Sequence, residues 1–126
     1  MDIGNLKNNC TFYDGYEGEP EIILMIVEEA EYSIHMWDGY FDDIFGEPAL
    51  DGNGWKGFTR DLNQMEGLFS DGENETTIDV HEYLEDARQY QDKAFRYEET
   101  VEAFTLLVTF LRYAATNGLT VIAKLV

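Results

Sequence analysis

PEIILMIVEEAEYSIHMWDGYFDDIF, residues 20–45, is the stretch whose reading decides the fold. Its apolar positions run Ile22/Ile23, Ile26/Val27, Ala30, Ile34, Trp37, Phe41 and Ile44/Phe45. Steps of three and four place them on one helical stripe. Pro20 suits a first helical turn, and Glu19 and Glu21 lie where a helix dipole favours anions. Gly39 weakens a helix from within, so one long helix and two helices meeting within residues 31–39 satisfy the pattern equally. A rival reading makes residues 31–37 a strand, because Tyr32, Ile34 and Met36 alternate. The helical reading is preferred, and with it an α+β domain that is mostly helical.

Outward from this stretch, residues 1–18 hold the turn signals Asn8-Asn9, Asp14-Gly15 and Glu17-Gly18 around Thr11-Phe12-Tyr13, which reads as a loop with one short strand. Residues 46–57 contain Pro48, Asp51-Gly52 and Asn53-Gly54 and read as a loop. Phe58, Leu62, Met65 and Leu68/Phe69 give a shorter helix over 58–69, and the polar residues 70–77 a surface loop. Asp79 with Glu82 forms a capping-box-like start for a helix burying Val80, Tyr83/Leu84, Ala87 and Tyr90. The clearest helix buries Val101, Phe104, Leu107/Val108, Leu111 and Ala114/Ala115. Its acids Glu98, Glu99 and Glu102 come first and Arg112 comes late, as the dipole prefers. Asn117-Gly118 stops it in the left-handed conformation, and the β-branched tail 119–126 is a closing strand. The expectation is one domain over residues 1–126, with about four to five helices and a small strand component.

The charge is lopsided. Acids outnumber bases 26 to 8, a net −18. Residues 1–54 hold thirteen acids against Lys7 alone, a net −12. Such charge opposes compaction by self-repulsion, and its user is a positive surface outside the chain. An apolar content of 44% separates the chain from disordered acidic tails. The acidity disfavours direct contact with nucleic acid or anionic lipid, both of which it repels. Cys10 is alone, so no intramolecular disulfide forms, as fits a reducing cytosol. Met1–Asn9 lacks the basic and apolar regions of a secretory signal, and no apolar run approaches the ~20 residues of a membrane span. The expectation is cytoplasmic.

Chemistry-bearing motifs are few. His81-Glu82 opens like His-Glu-x-x-His, but position 85 is Glu, and an exposed helix histidine is the ordinary reading. His35 and Cys10 pair only if folding brings them together, and an incidental thiol is the simpler account. Asp42-Asp43 and Glu28-Glu29 have the look of acid–base pairs, yet adjacent acids are expected by chance at this composition. Residues 71–75, Asp-Gly-Glu-Asn-Glu, lack calcium-loop spacing, and 51–54 lack the lysine of a phosphate loop. No catalytic residue, metal ligand or cofactor is assigned. Two stretches interleave aromatics with acids, residues 12–17 and 37–46. Interface centres favour Trp and Tyr, and flanking acids match a basic partner. With Trp37, Phe41 and Ile44/Phe45 assigned to the core, Asp38, Asp42 and Asp43 fall on the other face with Tyr40. The candidate partner-binding residues are therefore Tyr13, Asp14, Tyr16, Glu17, Asp38, Tyr40, Asp42, Asp43, Asp71 and Glu73.

FRYEETVEAFTLLVTFLRYAATNGLTVI, residues 95–122, resembles the CdiI-type immunity proteins of bacterial contact-dependent growth inhibition, in particular those of ribonuclease toxins. The resemblance spans about a quarter of the chain and carries over no functional residue. It implies a small cytosolic protein, monomeric outside its complex, that binds and blocks the C-terminal nuclease toxin domain of a CdiA-type effector. A nuclease is basic where it grips phosphates, so the charge and the resemblance point to the same kind of partner. The alternative is an acidic nucleic-acid mimic that regulates a DNA- or RNA-binding protein.

Overall fold

The computed structural model describes residues 6–46 and 75–125. In chain order these form β1 (Asn9–Phe12), β2 (Glu21–Ile26), β3 (Ser33–Trp37), α1 (Asp38–Phe45), β4 (Glu75–Ile78), α2 (Val80–Arg88), α3 (Thr100–Thr116) and β5 (Val121–Leu125). The strands make one mixed sheet in the order β1-β3-β2-β5-β4. β1 runs parallel to β3, and the other neighbours are antiparallel. The mostly helical expectation, with four to five helices and one closing strand, is thereby overturned: the described residues carry three helices and five strands.

The error lies in residues 20–37. Burial there alternates, with Ile22, Leu24 and Ile26 inward and Ile23 and Met25 half-covered. An apolar run this short satisfies both periodicities, and β-branched isoleucines favour the pleated one. Pro20 precedes a strand rather than opening a helix. The rival reading of residues 31–37 is the correct one from Ser33 onward, where Ile34 and Met36 face the core. Glu28, Glu29 and Glu31 occupy the β2–β3 connection instead of a helix face. Glu28 accepts from the Thr120 amide and hydroxyl, both at 2.8 Å, tying this turn to the start of β5. Those two bonds hold its carboxyl below the usual range. Tyr113 donates to Glu29 at 2.9 Å, and its hydroxyl is pushed up to about 12 by that carboxylate.

β3 turns into α1 at a single residue, Trp37, which has extended backbone. Gly39 follows because a Cβ there would overlap the Trp37 ring. Asp79 caps α2, accepting from the Glu82 amide at 3.2 Å, and the expected inner face of α2 is buried through Tyr90. α3 ends as expected: Gly118 has φ +64, and the Leu119 amide reaches the Ala114 carbonyl at 2.9 Å. Phe104, Leu107, Leu111 and Ala114 are buried as expected, but the buried face is centred to one side of the expected one. Ala103, Leu106 and Phe110 are buried, whereas Val101 is 55% exposed and Val108 and Ala115 are half-covered. The loop expected over 70–77 gives way to β4 from Glu75, pairing Thr77 with Ile122 and Ile78 with Val121. Most of the loop over 46–57, the helix over 58–69, and Asp71 and Glu73 lie outside the described residues. Among those described, no helix is long and apolar enough to cross a membrane.

Candidate functional site

The two acidic–aromatic stretches meet. After β1 the chain turns at Gly15 and Gly18, both with positive φ, and lays Tyr16 flat on Trp37, centroids 4.4 Å apart and planes within 4°. Tyr16 and Tyr40 bring their hydroxyls within 3.2 Å, and Phe12 meets Tyr40 edge-on. Tyr97, ahead of α3, packs against both Trp37 and Tyr40. Five rings from three distant parts of the chain thus form one cluster. Acids surround it. Asp14, Glu17, Glu19, Asp42 and Glu99 are exposed, and Asp38 is half-buried. Burial pushes the Asp38 carboxyl up, and the neighbouring Asp42 and Glu19 push it further. Burial also raises the Tyr40 hydroxyl, with its bond to Tyr16 adding to the effect. Arg96 lies 2.8 Å from Asp42 and over the Tyr97 ring.

Of the candidate residues, Tyr13 is half-buried and donates to the Glu19 carbonyl at 2.7 Å, which fixes the turn. Glu17 accepts from the Gly15 amide at 3.3 Å. Tyr16 and Tyr40 build the cluster, and Tyr40 is buried rather than outward-facing. Asp43 corrects its expected placement. It is only 2% exposed and accepts from the Arg96 amide at 2.8 Å, the Tyr97 amide at 3.0 Å and the Thr100 hydroxyl at 2.7 Å, with Arg96 Nε at 3.4 Å. Burial alone would raise its carboxyl, but these donors outweigh burial and hold it below the usual carboxylate range. Asp43 is an internal clamp between α1 and the start of α3. Lys93 completes the junction by donating to the Asp43 and Ile44 carbonyls at 2.8 and 3.0 Å.

Sequence reasoning missed Arg96, Tyr97 and Glu99. The signal was present, because residues 95–99 also interleave aromatics with acids. Both ring nitrogens of His35 have partners other than Cys10. Its Nδ1 lies 2.6 Å from Glu21 and its Nε2 3.4 Å from the Ser33 hydroxyl. Acid, imidazole and hydroxyl stand in the order of a nucleophilic relay, but Ser33 is buried and its hydroxyl donates to Asn8 Oδ1. Burial, with Asp14 and Glu21 adding to it, raises the Cys10 thiol and so disfavours the thiolate. Among the described residues no cluster of three or more His, Cys, Asp or Glu could hold a metal ion.

No protein-family model matches the chain, no curated protein matches it, and no solved structure matches it.

Proposed function

We propose that this protein is an acidic binding module that covers a basic surface of another protein. Following the resemblance of residues 95–122, the partner we propose is a basic nuclease toxin domain of a contact-dependent growth inhibition effector, which the module neutralises by excluding its nucleic acid. The observation that carries the reading is the meeting of residues 12–17 with residues 37–42 around the Tyr16–Trp37 stack. Rigid rings flanked by acids offer a partner both a desolvated centre and a complementary field. Asp38, whose ionised form is disfavoured first by burial and then by Asp42 and Glu19, gains when an arriving cation offsets that repulsion.

The test is stopped-flow association with a basic ribonuclease toxin domain, sought first among the products of genes neighbouring this protein's own, together with that domain's cleavage of RNA. The expected rate approaches ~10⁸ M⁻¹s⁻¹ at low salt and falls steeply as salt rises. Stoichiometric addition should abolish cleavage, and Asp38→Asn with Asp42→Asn should slow association. Rates that stay flat with salt would sink the electrostatic argument. Inhibition confined to DNA- or RNA-binding proteins that are not nucleases would favour the mimic instead.

A further inference from the structure

Phe12 belongs to two places at once. Its ring meets Tyr40 in the aromatic cluster, and it also walls a groove of about 400 Å³ between the edge strand β1 and helix α3. Asn9 and Thr11 complete the strand side, and Glu102, Thr105, Leu106 and Thr109 the helix side.

The hydrogen-bonding state of these walls restricts the guest. Thr105 Oγ1 donates to the Val101 carbonyl at 3.0 Å, and Thr109 Oγ1 donates to the Thr105 carbonyl at 2.8 Å. A hydroxyl has one proton, so both present only lone pairs to anything entering. The ionised Glu102 carboxylate is acceptor-only. On the strand side Asn9 Oδ1 accepts from the Thr11 amide at 2.9 Å, and the Asn9 amide nitrogen and Thr11 hydroxyl are groups able to donate. Phe12 and Leu106 add apolar contact. The helix wall, all acceptors and one of them a carboxylate, facing an aromatic ring suits a flat cation with several N–H donors. That describes a guanidinium better than an ammonium, which has three donors and no planar face.

Net charge and position indicate where the guanidinium comes from. The chain carries −18, and through Phe12 the groove is continuous with the acidic–aromatic face. We propose that the β1–α3 groove receives an arginine side chain of the basic partner, with Phe12 stacking on it and Glu102, Thr105 and Thr109 accepting its hydrogen bonds. This rests on the reading of the protein as a binder of basic surfaces.

The experiment is methyl and amide NMR of the full chain at physiological salt. The probes are three capped tripeptides, with arginine, lysine or citrulline between glycines, and separately a hexa-arginine peptide. The arginine tripeptide should shift the Thr105, Thr109 and Leu106 methyls. Citrulline, nearly isosteric but neutral, should bind about tenfold more weakly, as expected when charge assistance is lost. Glu102→Gln should weaken the arginine tripeptide comparably, and Thr109→Leu, which fills the groove, should abolish the shifts with the remaining spectrum unchanged. Equal binding of lysine or citrulline would overturn the guanidinium assignment. Hexa-arginine that shifts Asp14, Glu17, Asp38 and Asp42 while the groove stays silent would overturn the groove and leave the basic-partner reading standing. Silence towards every peptide would overturn both.

Discussion

Asp38 and Asp43 stand near opposite ends of the same short helix, and their carboxyls are shifted in opposite directions. At the Asp38 end, partial burial and two neighbouring acids make ionisation costly. At the Asp43 end the carboxylate is more deeply buried, yet ionisation is favoured because two amides, a hydroxyl and a guanidinium converge on it. Burial alone therefore does not decide whether an acid destabilises this fold. The number of donors aimed at it does.

The strongest way to break this contrast is Asp43→Ala. Two amides and a buried hydroxyl would lose a charged acceptor, each at ~1–3 kcal/mol with some relief from entering water, for a total near 3 kcal/mol. Urea unfolding across pH checks it. Because the folded carboxyl titrates below its unfolded value, its stabilisation is complete above the ordinary ~3.9 and is lost as pH falls from there through the lower folded value. The variant should lack that acid limb. A variant as stable as the parent would mean that Asp43 does not clamp α1 to α3.

A middle-sized effect is expected at Gly39→Ala. Alanine favours a helix by ~1 kcal/mol over glycine, but its methyl would overlap a Trp37 ring already stacked on Tyr16. Displacing that ring should win, with a net loss of about 1–2 kcal/mol, the lower part of the overpacking range, and a changed near-ultraviolet tryptophan signal. A gain in stability would show that the Tyr16–Trp37 stack yields easily.

The smallest effect is Asp38→Asn, which should leave stability at pH 7 within about 0.5 kcal/mol of the parent, on the stabilising side. The sign follows from the raised folded value. The native state is penalised while Asp38 is ionised, and the penalty fades as pH falls through the folded value towards the unfolded one. The advantage of the Asn variant should fade over the same interval, visible as converging melting temperatures. A loss of stability at pH 7 would place Asp38 among the internal links with Asp43.

What the sequence determined by itself is local. The Asp79 cap, the α2 face, the existence of α3, its stop at Gly118 and the β-branched closing strand all depend on residues within a turn or two of one another. The pairing of acids with aromatics was equally legible, and it named Tyr16 and Tyr40, which build the cluster. What only the tertiary structure decided is everything that needs a distant partner. Glu21–Ile26 is a strand because β3 and β5 flank it, and its five-residue apolar core satisfies either period without them. Asp43 faces inward because Arg96, Tyr97 and Thr100, more than fifty residues away, aim donors at it. The groove exists only where β1 passes α3, and the lone pairs of its helix wall follow from Thr105 and Thr109 hydroxyls bonded to helix carbonyls. Local physics is written in neighbouring residues, whereas the environment that fixes a side chain's direction and charge is assembled from remote ones.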